Sequence, residues 1–288
     1  MRHRSSATSV PAPAPESADG PANPAAPPER DVAAFVAQVI ADAPAEPLEP
    51  PPAFLAQAAE LGIAFEPGEV ERLGRFLALL LYANTRMNLT AIKDAESAWH
   101  RHILDALTLI APLAELPEGA TVIDIGTGGG VPGIPLAIVR PDLRFTLLDA
   151  TAKKTAFVRA AMDVLGVEHA TVVTARAEAA GRDTQHRDTY DVAIARAVGP
   201  MATIAELATP FVKPNGVALL IKGERAPEEL ADAKAALHLL LSAHAGTLDT
   251  RTGKIVILEK MRPTPKAYPR GNGEPKRKPL GPDQKQPA

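Results

Sequence analysis

The stretch VIDIGTGGGVPG at residues 122–133 concentrates residue types that can hold a nucleotide-like cofactor. From Gly128 it spells G-x-G-x-x-G, the pattern of a dinucleotide-binding turn. From Asp124 it spells D-x-G-x-G-x-G, which proposes something else. A lone glycine pattern is a weak signal, and a tight turn with nothing bound is its plain alternative. Asp124 shifts the balance. A dinucleotide brings a pyrophosphate with two negative charges to such a turn, and a carboxylate at the strand end opposes them at short range. S-adenosylmethionine brings a sulfonium and an ammonium instead, and an acid suits both. Asp149, twenty-three residues past Gly126, can accept from both ribose hydroxyls of either ligand, so it supports an adenosine group without choosing between them. Its plain alternative is a cap for the helix that follows.

Other polar residues carry less. His102 and Asp105 share a helical face at i, i+3, a spacing that favours a structural pair over a catalytic one. Lys222, at the end of a strand, could meet a phosphate or merely cap the strand. Trp99 is expected in the core. The seven histidines show no metal-ligand spacing with a carboxylate partner, and His100 and His102 alone do not make a zinc site. With no cysteine, disulfides, thiolate metal sites and cysteine nucleophiles are all excluded, which fits a reducing cytoplasm.

The elements that must position the loop follow from periodicity. Residues 1–52 hold ten prolines in their first fifty positions and are expected to form a disordered extension whose removal costs little. Within it only DVAAFVAQVIADA, residues 31–43, has the pattern of a short amphipathic helix. Residues 53–116 read as a helical cap of three helices, the third over 95–113. From 117 to 262 the pattern changes. ATVIDI, RFTLLD, ATVVT, YDVAIA and GVALLIK are short, apolar and β-branched, and helical patterns separate them. That alternation predicts a mostly parallel sheet with helices on both faces, and TGKIVILEKM is the expected last strand. Pro132 and Pro135 fall in the first turn of the helix after the loop, where amides are unpaired. The longest apolar run, FLALLLYA, is too short to span a bilayer, and the N-terminus lacks a secretory h-region. A soluble, cytoplasmic protein is expected.

Charge is uneven. The net charge is −3, yet eight basic residues and only two acidic ones follow residue 259. Residues 263–288 therefore read as a basic tail on an acidic body, and Arg270, Lys276, Arg277 and Lys278 as candidate contacts to a polyanion such as RNA. A merely solvated tail is the competing reading.

The motifs NLTAIKD, HILDAL, VIDIGTGGGVPGIPLAIVRPDLRFTLLDA, ARAE, ARAV and LIKG, with the closing KAYPRGNGEPKRKPL, resemble in succession those of the RsmG (formerly GidB) family. The likeness spans roughly residues 52–280 and does not cover the Pro/Ala-rich extension. It implies a Rossmann-like class I S-adenosylmethionine-dependent methyltransferase that modifies a guanine N7 in bacterial small-subunit (16S) ribosomal RNA. It further implies that Gly126 and Val131 contact the cofactor, beside Gly128 of the glycine pattern, that Ala177 and Glu178 meet its adenine, and that Arg196 belongs to the same site. Ribosomal RNA or the small ribosomal subunit is the implied partner.

That reaction agrees with what the chain lacks. Guanine N7 carries an in-plane lone pair and no proton, so no general base is required, and catalysis falls to orientation and exclusion of water. Methylation at cytosine C5 would need a cysteine. The [DNS]-P-P-[FYW] motif of amino-group methylases is missing after the fourth strand, where ARAVGP stands. An NAD(P)-dependent oxidoreductase and a non-catalytic RNA-binding protein on the same fold are the alternatives. Asp124 counts against the first, and the intact glycine loop against the second.

Overall fold

The computed structural model describes residues 29–196 and 199–281. The chain enters through α1 (Glu29–Ala41), α2 (Phe54–Glu60) and α3 (Glu69–Met87). A broken helical run follows: α4 (Ala95–Ala98), a π-helical turn (Trp99–Leu104), α5 (Asp105–Leu107) and α6 (Ile110–Leu113). Strands and helices then alternate through β1 (Thr121–Ile125), α7 (Gly133–Val139), β2 (Arg144–Asp149), α8 (Ala152–Leu165), β3 (Ala170–Thr174), α9 (Ala177–Ala180) and β4 (Tyr190–Arg196). The chain continues with α10 (Met201–Ala208), β5 (Val212–Lys222), α11 (Ala226–Asp232), α12 (Lys234–Leu239), β6 (Ser242–Thr250), β7 (Gly253–Lys260) and α13 (Glu274–Arg277).

The seven strands form one sheet in the order β3-β2-β1-β4-β5-β7-β6. The first five run parallel, and β7 lies antiparallel between β5 and β6. A Rossmann dinucleotide sheet runs 3-2-1-4-5-6, so the inserted antiparallel β7 sets this Rossmann-like sheet apart. Buried strands need apolar residues on both faces. Leu147 and Val192 join Trp99, Leu136 and Phe157 on one side, while Ile123 and Leu220 join Ile204, Phe211 and Leu237 on the other.

Strand order reverses between β1 and β4, so a crevice opens where their carboxyl ends diverge. The turn after β1, Asp149 of β2, Arg196 of β4 and Lys222 of β5 all lie along that edge of the sheet.

Four expectations need correction. The segment 29–52 does not behave as an extension: α1 packs with Val36 and Val39 buried, and Leu48 N donates to Gly74 O at 3.1 Å. The helix expected at 31–43 is present, but the proline content around it hid that its apolar face is completed by α8. The expected single helix at 95–113 is interrupted by the π turn and by the residues between α5 and α6. TGKIVILEKM is joined by the unforeseen β6, an edge strand with mostly solvated side chains and hence no apolar run. Finally, residues 263–281 do not form a free tail. Thr264, Tyr268, Pro275 and Leu280 are buried, and Arg187 donates to the carbonyls of Thr264, Pro265 and Tyr268. Residues 1–28 and 282–288 of the expected extension and tail lie outside the described residues.

Candidate functional site

The glycine loop is laid onto β2 by its own backbone. Gly126 N and Thr127 N both donate to Leu148 O, at 2.8 and 3.0 Å. Gly126 (φ +73°) and Gly128 (φ +59°) adopt left-handed conformations that L side chains avoid. A Cβ at Gly128 would meet only Gly126 O, at 3.9 Å, so the space above it is open. Asp149 fixes the turn from the side: Oδ2 accepts from Gly128 N at 3.0 Å and Oδ1 from Thr151 N at 2.8 Å. A carboxylate has about four acceptor positions, so two remain for hydroxyls. Asp149 therefore braces the loop and the chain entering α8, and keeps acceptor capacity besides.

Asp124 does not. Its side chain is buried beneath the loop, and Oδ2 accepts from Gly133 N at 3.0 Å, capping the start of α7. Burial pushes its pKa up to about 6, against the pull of Thr127, the Gly133 amide and Arg196. It organises the turn and is absent from the cleft wall, so the expected direct contact with a cationic ligand is corrected. The sequence showed where this carboxylate stands along the strand but not which way it faces.

A cleft of about 180 Å3 opens over the loop. Gly126, Gly128, Val131 and Arg196 line it, as expected, together with Thr90 and His102 from the cap. Leu80 of α3 and Leu89 close it on the cap side, so tightly that a Cβ at Gly129 would meet Leu80 Cδ1 at 2.8 Å. Open space above Gly128, spare acceptors on Asp149 and an apolar roof suit a ligand with an adenosine group.

His102 is buried, with Nε2 2.8 Å from Thr90 Oγ1 and Nδ1 without a hydrogen-bond partner among the described residues. Burial, then the charge of Arg196, depresses its pKa to about 4, so the ring is neutral at pH 7. It does not pair with Asp105. That carboxylate instead accepts from Thr252 Oγ1 on the turn between β6 and β7, and burial raises its pKa. The expected i, i+3 pair is replaced by two residues with separate partners. Arg196 donates to the Arg101 carbonyl at 3.0 Å, and both Asp124 and Asp105 act on its charge.

The other expected residues lie apart from the cleft. Ala177 opens α9. Glu178 is buried, with Oε1 accepting from Gly273 N at 2.7 Å, which ties α9 to the returning C-terminal segment. Lys222 Nζ is held by Glu229 at 2.6 Å and Gly199 O at 2.8 Å. Arg270 pairs through two nitrogens with the fully buried Glu206, at 2.9 and 2.6 Å. Both cations are committed inside the protein, contrary to their expected role as RNA contacts. Lys276, Arg277 and Lys278 are exposed. Among the described residues no cluster of three metal-binding side chains occurs, and no helix is long and apolar enough to cross a membrane.

The family model described as GidB, rRNA small subunit methyltransferase G, matches residues 69–251. The chain belongs to this family. A ribosomal RNA small subunit methyltransferase G from Sorangium cellulosum is 45% identical over 75% of this chain and 90% of its own length. Its counterparts from Roseiflexus sp. and Deinococcus radiodurans are each 41% identical, over 78% and 77% of this chain and 98% and 90% of theirs. Among solved structures, a SAM-dependent methyltransferase from Aquifex aeolicus aligns with TM-score 0.45 and 16% identity, covering 57% of this chain and 94% of its own. The family segment takes in Thr90, His102, Asp105, the glycine loop and Arg196. It ends before Thr252, and α1, α2 and the C-terminal return lie outside it.

Proposed function

We propose that the protein transfers a methyl group from S-adenosylmethionine to N7 of a guanine in small-subunit ribosomal RNA. The observation that carries this reading is the glycine turn at the β1/β4 crevice, open above Gly128 and roofed by the cap, in a chain of this family. Bound S-adenosylmethionine would supply an electrophilic methyl group on sulfur. Gly126, Gly128 and Val131 would hold its methionine portion, Asp149 the ribose, and the backbone at Ala177 and Glu178 the adenine. The protein's own work is orientation and exclusion of water. Leu80 and Leu89 shield the loop. Neutral His102 adds no positive charge where a cation reacts. Guanine N7 carries no proton, so the reaction asks no residue of this cleft to remove one.

RNA contact is assigned to Lys276, Arg277 and Lys278. Pro275 and Leu280, both buried, pin this strip at either end, so its three cations are presented from a fixed base. An A-form helix hides N7 in a deep, narrow groove, so the target guanine must be unpaired or extruded. The test is methyl labelling of ribosomal RNA from a strain lacking this protein, followed by nucleoside mass spectrometry. Label recovered as 7-methylguanosine is expected; label on another atom or base would replace this reading.

A further inference from the structure

A second cleft, of about 260 Å3, lies beside the first and shares one residue with it, Arg196. Asp105, Lys222, Gly223, Glu229 and Thr252 contribute to its walls. Most of its charge is already balanced, because Lys222 is bound to Glu229 and the Gly199 carbonyl. Two groups keep unused capacity. Asp105 is half-buried and accepts through Oδ1 from Thr252, while its Oδ2 has no hydrogen-bond partner among the described residues. Arg196 uses only Nη1, toward the Arg101 carbonyl, among the described residues. A half-buried carboxylate with an oxygen open to the cleft can accept from a ligand held there.

We propose that this cleft receives the target base and that Asp105 selects guanine by accepting from its N1–H and 2-amino group. The inference rests on the reaction proposed above and deepens it. Around a guanine ring, N7 is followed by the O6 acceptor and then by the N1–H and 2-amino donors. Along the protein edge, the cofactor loop is followed by Arg196, a donor, and then by Asp105, an acceptor. With N7 turned toward the loop, O6 meets the guanidinium and the two donors meet the carboxylate. Adenine would set an amino group against Arg196 and offer no donor at N1 or C2. A hydrogen-bonding site rejects such an analogue because its buried groups are left unpaired. The element that carries Asp105 fits this role: the π turn at 99–104 directly precedes it, and such turns are frequent at functional sites.

The test compares wild-type protein with Asp105→Asn and Asp105→Ala on small-subunit RNA from a strain lacking the protein. A second RNA carries inosine, which has no 2-amino group, in place of the methylated guanosine. Asp105→Asn should lower kcat/KM by about 10- to 100-fold, with S-adenosylmethionine affinity and Tm unchanged. Wild-type protein should disfavour inosine several-fold, and Asp105→Ala should treat the two RNAs alike. A purely structural role would instead lower Tm and keep the discrimination. Unchanged kcat/KM in the variants, or wild-type indifference to inosine, overturns the assignment while the reaction stands. If wild-type protein places no methyl group on guanine N7, the reaction falls and the assignment with it. The wild-type comparison needs no variant, so indifference to inosine overturns the assignment even if Asp105→Asn fails to fold, and Asp105→Ala then carries the positive case.

Discussion

A carboxylate buried as completely as Glu206 is tolerated only with its charge compensated, and Arg270 supplies that compensation through its backbone amide and its guanidinium. Arg270→Ala should therefore cost about 3–5 kcal/mol of stability, read by chemical denaturation, and leave the salt dependence of RNA binding unaltered. The triple variant Lys276→Ala, Arg277→Ala, Lys278→Ala should do the reverse. Its log–log salt slope should flatten by roughly two to three units while Tm stays put; a slope equal to wild type would move the RNA surface elsewhere. In the cofactor loop, Gly126→Val forces a β-branched residue to φ +73°. Calorimetry should find affinity for S-adenosylmethionine reduced by more than about tenfold, and a folded variant that binds normally would refute the loop assignment. His102 gives a pH signature. Its folded pKa of about 4 lies below the unfolded value of 6.5, so between these limits the unfolded chain binds more protons. The stability tied to the neutral ring is complete above 6.5 and is lost as pH falls through 4. The advantage of wild type over His102→Gln should shrink by about 3 kcal/mol from pH 7 to pH 4. Asp124, raised to about 6, titrates with the opposite sign in both proteins and cancels in the difference. Urea titrations across that range provide the measurement.

Among the elements, α1 makes the sharpest prediction. Val36 and Val39 are buried against the body, and a fully buried valine contributes about 1.5–3 kcal/mol. Deleting residues 1–43 should lower stability by about 3 kcal/mol or more, where a disordered extension would cost nothing. Strands β1, β2 and β4 were legible because burial on both faces writes an apolar run into the sequence, while β3, at the other edge of the sheet, was legible from its β-branched residues. Edge strand β6 was not, since its residues obey solvent on most sides. The π turn leaves no local signature, and its consequence, the separation of His102 from Asp105, could not be read from i, i+3 spacing. Site residues divide in the same way. Gly126, Gly128, Val131 and Arg196 were legible because a motif and a strand end fix them. The Asp105–Thr252 contact joins residues 147 apart, and no spacing rule reaches that far. Arg270 and Lys222 read as free cations because composition counts a charge without showing its partner.

Across the whole molecule, residues 263–281 act as a strap. Glu178 holds Gly273, Thr203 holds the Pro275 carbonyl at 3.1 Å, and Arg187 holds three carbonyls between 264 and 268. A chain cut after Arg262 should lose at least as much stability as Arg270→Ala, with faster proteolysis of α9 and α10 as the readout; resistance equal to the full chain would make the strap ornamental. Synthesis runs from the N-terminus, and this order gives the strap a further meaning. Glu178, Arg187 and Glu206 emerge from the ribosome 95, 81 and 64 residues before Gly273, Tyr268 and Arg270, the partners that satisfy them. Until residue 273 has cleared the exit tunnel, two carboxylates and a guanidinium do not all have a settled place. The nascent methyltransferase domain is thus complete in strands while still incomplete as a fold, and a segment translated after every strand locks it.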